Sequence, residues 1–316
     1  MIRNTMIGAG AWLMIAVAGR FSGKLERSWI ELLFLFAPLV IVPLGLELTR
    51  RIDDQFPAPG LEKSAFKIQL PAAFAAALSF YCRAPLAIAG LAVVWLTFVN
   101  FLALGRLWRV LRTRSHTFDE LCALPAFAYL AVGAAWFLAS RLGWHPMDFR
   151  EPIVLLTAVH FHYAGFAAAI LVRALRRLLK AGFVHTLLYP VAAAGALGGP
   201  ALLAAGFVIS PTLKLVAALL LALGEIALAA CFIVLIPAVT EASARILLFV
   251  SAASVALAMC LAALWAFGEF PRQAFLDIAR MAEWHGSLNA FGFTFCGLAA
   301  FMCCQSAWIF GRGRTI

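Results

Sequence analysis

The sequence predicts an all-α, polytopic integral membrane protein, a helical bundle forming a single transmembrane domain over residues 1–316, and three observations carry that expectation. Hydrophobic residues make up 64% of the chain and charged residues only 13%, against roughly 45–50% and about 25% in soluble domains. The apolar residues are gathered into runs close to the ~20 residues that cross a bilayer core. The basic residues lie in short clusters between those runs, where orientation signals sit. The net charge of +10 is thereby accounted for by topology, and nucleic acid is not an expected partner.

Taken in order, the runs give about ten spans, or nine if one of them fails to cross: 4–20, 29–49, 67–83, 86–106, 120–141, 152–173, 183–208, 211–240, 246–268 and 284–310. The first follows Arg3 and ends in the small residues Ala16, Ala18 and Gly19, a pattern shared with signal peptides; it is read as a retained helix. The connector from Arg50 to Lys63 is mixed in charge and holds Pro57 and Pro59, so it is turn-rich. The seventh span carries Gly195, Gly198, Gly199 and Pro200, which predicts a break near Gly198, and the eighth is unusually long. No internal repeat of the kind found in many secondary transporters is visible.

Orientation follows from the basic residues. Sixteen of the 25 Lys and Arg fall on the side of the two termini, including Arg50, Arg51, Arg106, Arg109, Arg173 and Arg176. Both termini are therefore expected in the cytoplasm. The clusters Arg106 to Arg114 and Arg173 to Lys180 also suit anionic lipid headgroups, although a topology signal alone accounts for them. Seven cysteines, none in a CxxC or paired spacing, are read as small buried or lipid-facing residues outside any disulfide or metal framework.

Ionisable groups inside a span are functional candidates because lipid solvates them poorly. His160 and His162 stand in TAVHFHYAGFAAA, about 12–15 Å deep at 1.5 Å per residue from Pro152. Two residues apart on an α-helix, they point roughly 200° away from each other. Thr157 and Tyr163 flank His160 on its own face. Glu225 stands mid-span with no basic residue within ten positions on either side, so its carboxyl is protonated or paired across the bundle. His285 and Asn289, spaced i, i+4, share a helix face. Each of these groups also has a purely structural reading as interhelical glue, and Trp284 with His285 suits an interfacial belt. Glu47 is expected to pair locally with Arg50 and Arg51. His116, His145 and His185 fall in or beside loops, and Asn100 and Tyr189 are intramembrane polar residues without an assigned partner.

Three blocks, ELLFLFAPLVIVPLGLEL, TAVHFHYAGF and WHGSLNAFGF, resemble the YndJ-like family of bacterial membrane proteins. The resemblance implies a multi-pass protein of the bacterial inner membrane and carries over no catalytic residues. The four residues HFHY are also similar to the stretch of haem–copper oxidase subunit I in which two histidines on opposite helix faces hold two haems; the copper ligands of those oxidases have no counterpart here.

Three chemistries suit the candidate set His160, His162, Glu225, His285 and Asn289. A neutral carboxyl and an imidazole in a dry site can trade acid and base roles on a lipophilic small molecule drawn from the bilayer, as in isomerisation, cyclisation or hydration. The same groups could serve a proton-coupled transporter. Imidazoles with a carboxylate could also hold a metal or haem iron.

Overall fold

The computed structural model describes residues 2–21, 29–53, 59–113, 118–179, 182, 184–270 and 276–304. Among them there is no strand, and ten helices follow one another: α1 (Ile2–Phe21), α2 (Trp29–Ile52), α3 (Pro59–Leu78), α4 (Pro85–Thr113), α5 (Phe118–Leu142), α6 (Ile153–Leu178), α7 (Val184–Ile209), α8 (Pro211–Leu235), α9 (Ala242–Glu269) and α10 (Ile278–Cys303). Nine of these described helices are long and apolar enough to cross a membrane. The tenth, α3, falls short of the predicted span 67–83: it ends at Leu78, and its apolar stretch is Ser64–Leu78. Leu86 is 86% exposed, Leu111 67% and Ile246 64%, an outward apolar surface that suits lipid as solvent.

The chain forms two compact units, Met1–Ala167 and Ala168–Ile316. In the first, α2 is the enclosed element, with every residue from Leu32 to Thr49 buried. From Leu32 to Leu46 the helix is apolar on every side, so no face of that stretch needs water. It also carries Pro38 and Pro43, and the backbone between them slackens into a π turn over Ala37–Ile41. There the Val42 N–H bonds Ala37 O, and the next donor in that i→i+5 ladder would be Pro43, which has no N–H. The orphaned Pro38 carbonyl accepts instead from Gln69 Nε2 of α3 at 2.8 Å. Gln69 is fully buried, and its Oε1 accepts from Asn4 of α1 at 3.2 Å. One turn before Pro38, Trp12 donates to Leu32 O at 2.8 Å and Tyr163 to Leu33 O at 2.7 Å. Gly8 of α1 lies so close to α2 that a Cβ there would overlap Leu39 O. Neighbouring helices thus supply the polar partners that prolines remove, the usual condition for proline in a span.

In the second unit, α7 and α8 cross through glycines. A Cβ on Gly195 would lie 2.5 Å from Gly224 Cα, one on Gly199 2.7 Å from Leu221 Cδ1, and one on Gly206 2.6 Å from Lys214 Cα. The break predicted near Gly198 is absent: Tyr189–Ile209 is continuous α-helix across Pro200. The glycine-rich sequence serves close approach of backbones. Lys214 and Glu269 pair at 2.7 Å between α8 and α9.

Two residues read as loop charges lie inside helices that run beyond the minimum spanning length. Arg106 is 3% exposed and bonds Asp53 at 2.7 Å, and Arg173 is 1% exposed. Glu47 does pair with Arg50 at 2.6 Å and Arg51 at 3.5 Å. Asn100 donates to Leu96 O of its own helix, and buried Tyr189 donates to Val172 O. All seven cysteines are free thiols. His145 is exposed, and His185 stacks on Tyr189. His116 and residues 305–310 of the last predicted span lie outside the described residues.

Candidate functional site

His162 is the point where four helices of the first unit meet. The α-ladder of α6 gives way to π pairing over Phe161–Ala167, and π segments are frequent at functional sites. The imidazole is fully buried, with Phe34 of α2 edge-on at 5.3 Å and Trp95 of α4 stacked at 6.1 Å. It presses on α5 where Gly133 leaves room, since a Cβ there would lie 2.7 Å from Nδ1. Nδ1–H donates to Ala158 O at 2.7 Å and Nε2 accepts from Trp95 Nε1–H at 3.4 Å. These two contacts select the neutral Nδ1–H tautomer and occupy both ring nitrogens. His160 ends the α-helical part of α6, partly exposed, with its ring edge-on to Phe161 at 6.0 Å. The different burial of the two histidines fits the opposed faces that their spacing gives. Thr157 donates to Ile153 O within α6, and Tyr163 is used on Leu33 O, so the polar neighbours of His160 are engaged elsewhere.

In the second unit, His285 Nδ1–H donates to Ala258 O of α9 at 2.9 Å, and Asn289 Nδ2 lies 3.3 Å from His285 Nε2. The two residues thus lie on one helix face, as their i, i+4 spacing gives. Asn289 also donates to His285 O at 2.8 Å. This stretch of α10 is π-paired over Ala282–Gly286 and Leu288–Phe295, and side-chain donors follow its carbonyls. Thr294 donates to Asn289 O and Ala290 O, Ser251 of α9 to Phe293 O, and Cys296 to Phe291 O. Gly292 sits directly on Ser254, and Gly297 on Ser251 and Leu171.

Glu225 differs from all of these. It is 2% exposed, in the fifteenth position of α8. It shares the buried stripe with Leu221, Gly224, Leu228 and Phe232, while Leu220, Leu223 and Ile226 cover the outward side. Neither carboxyl oxygen has a hydrogen-bond partner among the described residues. No hydrogen bond joins it to His285, whose ring nitrogens are engaged by Ala258 and Asn289. A buried carboxyl without partners is costly in either protonation state and far costlier as an anion, by several kcal/mol. Among the described residues, no group of three or more His, Cys, Asp and Glu comes together as a metal site. Sequence reasoning did not find Trp95 as the partner of His162 or the Asp53–Arg106 pair, because neither has a local spacing to betray it.

Apolar helices joined by isolated buried polar groups, with lipid-facing residues on the outer sides, define a polytopic helical membrane protein. The profile of the YndJ-like protein family matches residues 32–293, and the chain belongs to that family. It is 31% identical over 267 residues to the protein named "Uncharacterized membrane protein YndJ" of Bacillus subtilis (strain 168), an alignment covering 84% of this chain and 47% of that protein. The chain thus spans about half the length of the curated relative it matches. No solved structure matches it.

Proposed function

We propose that this chain is a multi-pass protein of the bacterial inner membrane, with both termini cytoplasmic, that handles a lipophilic small molecule by proton exchange at Glu225. The observation that supports it is the carboxyl itself: buried on the inner stripe of α8, with both oxygens unpartnered. In hydrocarbon such a group is a neutral acid. It can lend a proton to an alkene or hydroxyl of a lipid-soluble substrate and recover it, which suits isomerase, cyclase or hydratase chemistry. His285 and Asn289 are positioning groups in this reading, the ring contact to Ala258 O holding the π-paired segment of α10 in register. The transporter reading loses its one sequence hint with the continuity of α7, and the metal reading lacks a cluster of ligands among the described residues.

The test uses dicyclohexylcarbodiimide, a lipophilic reagent that attacks protonated carboxyls. In lipid-reconstituted protein, Glu225 should be the carboxyl modified, with the ion-paired Glu47 spared and the Glu225→Gln variant unlabelled. Extracts of membranes carrying wild type and Glu225→Gln should differ in at least one neutral lipid species. An unreactive Glu225, or indistinguishable extracts, refutes the proposal.

A further inference from the structure

Two contacts between α9 and α10 in the second unit bracket a notch in the seam they share. His285 Nδ1–H donates to Ala258 O at 2.9 Å, and Gly292 sits directly on the Ser254 hydroxyl. Ser254 and Ala258 are one turn apart on α9, about 6 Å at 1.5 Å per residue. Asn289 stands between His285 and Gly292 in the chain, so it falls within that turn. Its amide nitrogen donates to His285 O at 2.8 Å and lies 3.3 Å from His285 Nε2. The carbonyl neighbour fixes which end of the amide is nitrogen, since an oxygen there would face another oxygen. Both N–H donors are thereby spent, and Oδ1 is an acceptor with no hydrogen bond among the described residues. Ser254 also makes none among them, whereas Ser251, one turn along α9, donates to Phe293 O at 2.8 Å. Asn289 and Ser254 are half-buried. Val250 and Leu257, the i−4 and i+3 neighbours of Ser254, are exposed at 37% and 54%, so an apolar ridge borders the notch.

We infer that this notch binds the hydroxyl of a single-chain lipid alcohol, which donates to Asn289 Oδ1 and accepts from Ser254 Oγ–H while its hydrocarbon chain lies along Val250 and Leu257. One unspent acceptor beside one unspent donor is the complement of an O–H group. Left without partners in hydrocarbon, both are costly, and the alcohol supplies both at once. An ester carbonyl only accepts and would leave Oδ1 bare, and a phosphate or carboxylate head would set oxygen against it. The single ridge suits one chain rather than two. His285 acts here as a positioning residue that holds the amide nitrogen and turns Oδ1 toward the seam. The inference does not rest on proton exchange at Glu225, which bonds neither Asn289 nor Ser254.

Native mass spectrometry of the full chain in neutral detergent, titrated with geranylgeraniol, geranylgeranyl acetate or dioleoylglycerol, tests the inference. Wild type should retain the alcohol about fivefold better than its acetate, which keeps the chain and lacks the O–H. It should also retain the alcohol better than the two-chain dioleoylglycerol. S254A and N289L should each lose about fivefold in alcohol retention, the worth of one hydrogen bond. N289L should leave retention of the acetate unchanged, because the ester makes no use of that acceptor. S254A removes only a hydroxyl that bonds nothing in the fold, and it serves if N289L does not fold. S140A, in the other unit, should match wild type. Equal retention of alcohol and acetate by wild type, undiminished alcohol retention in S254A, the same loss in S140A, or stronger retention of dioleoylglycerol would each overturn the site.

Discussion

Replacing Gln69 by Leu tests how the proline-bearing α2 is held. The substitution keeps bulk and removes the donor to Pro38 O and the acceptor for Asn4. Gln69 is fully buried and Pro38 lies inside the sealed stretch of α2, so water does not replace the lost partner. An orphaned buried carbonyl costs about 1–3 kcal/mol, whereas hydrogen bonds between membrane helices average only about 0.6 kcal/mol because the unfolded chain in lipid finds other partners. Here Pro43 denies the carbonyl a backbone donor, so the larger figure governs and about 2 kcal/mol is expected. The assay is reversible unfolding by dodecyl sulfate in mixed micelles, run as a double-mutant cycle with Pro43→Ala. Alanine at 43 restores an N–H within reach of Pro38 O, so Gln69→Leu should cost about 1 kcal/mol less in that background. An equal cost in both backgrounds would refute the assignment of Gln69 as the substitute for the missing Pro43 donor.

Other expectations can be checked in the same assay. Asp53→Asn should destabilise by about 3–5 kcal/mol, because it removes one charge of the buried pair with Arg106, while the paired replacement of Asp53 and Arg106 by Leu should recover most of the loss. Gly224→Ala drives a Cβ into Gly195 Cα, well inside carbon contact distance, and should cost about 1–3 kcal/mol. Gly198→Ala, with nothing within 4 Å of the new Cβ, should cost nothing. Tyr163→Phe should cost about 1 kcal/mol through the loss of its bond to Leu33 O. Cysteine accessibility at each chain terminus should report the cytoplasmic face, and labelling from outside would reverse the proposed orientation.

Most of the architecture was legible because lipid imposes a length and a composition on every span. The boundaries of α2, α7 and α8 fall within a few residues of their hydropathy runs. The pair of Glu47 with Arg50, closed within one helix, was also legible, as was the shared face of His285 and Asn289, since i, i+3 and i, i+4 geometry is written in the spacing. What could not be read were acceptors that belong to the backbone. Ala158 O, Ala258 O and Pro38 O carry no side-chain signature, yet they take His162, His285 and Gln69. Nor does a stretch such as Gly195 to Pro200 announce whether its glycines break a helix or admit a neighbour. The expectation that the costly acid meets an imidazole rested on solvation alone, and within the second unit His285 spends its nitrogens on Ala258 and Asn289.

The glycine crossing of α7 and α8 has a bearing on access. Where Gly195 and Gly224 touch, main chain rests on main chain, and no acyl tail or ring can slip between them at the level of the adjacent Glu225. In the proposed reading, a molecule that reaches that carboxyl arrives from another flank of α8. The seam acts as a rear wall, and widening it with bulky residues should loosen the helix pair without opening a useful doorway.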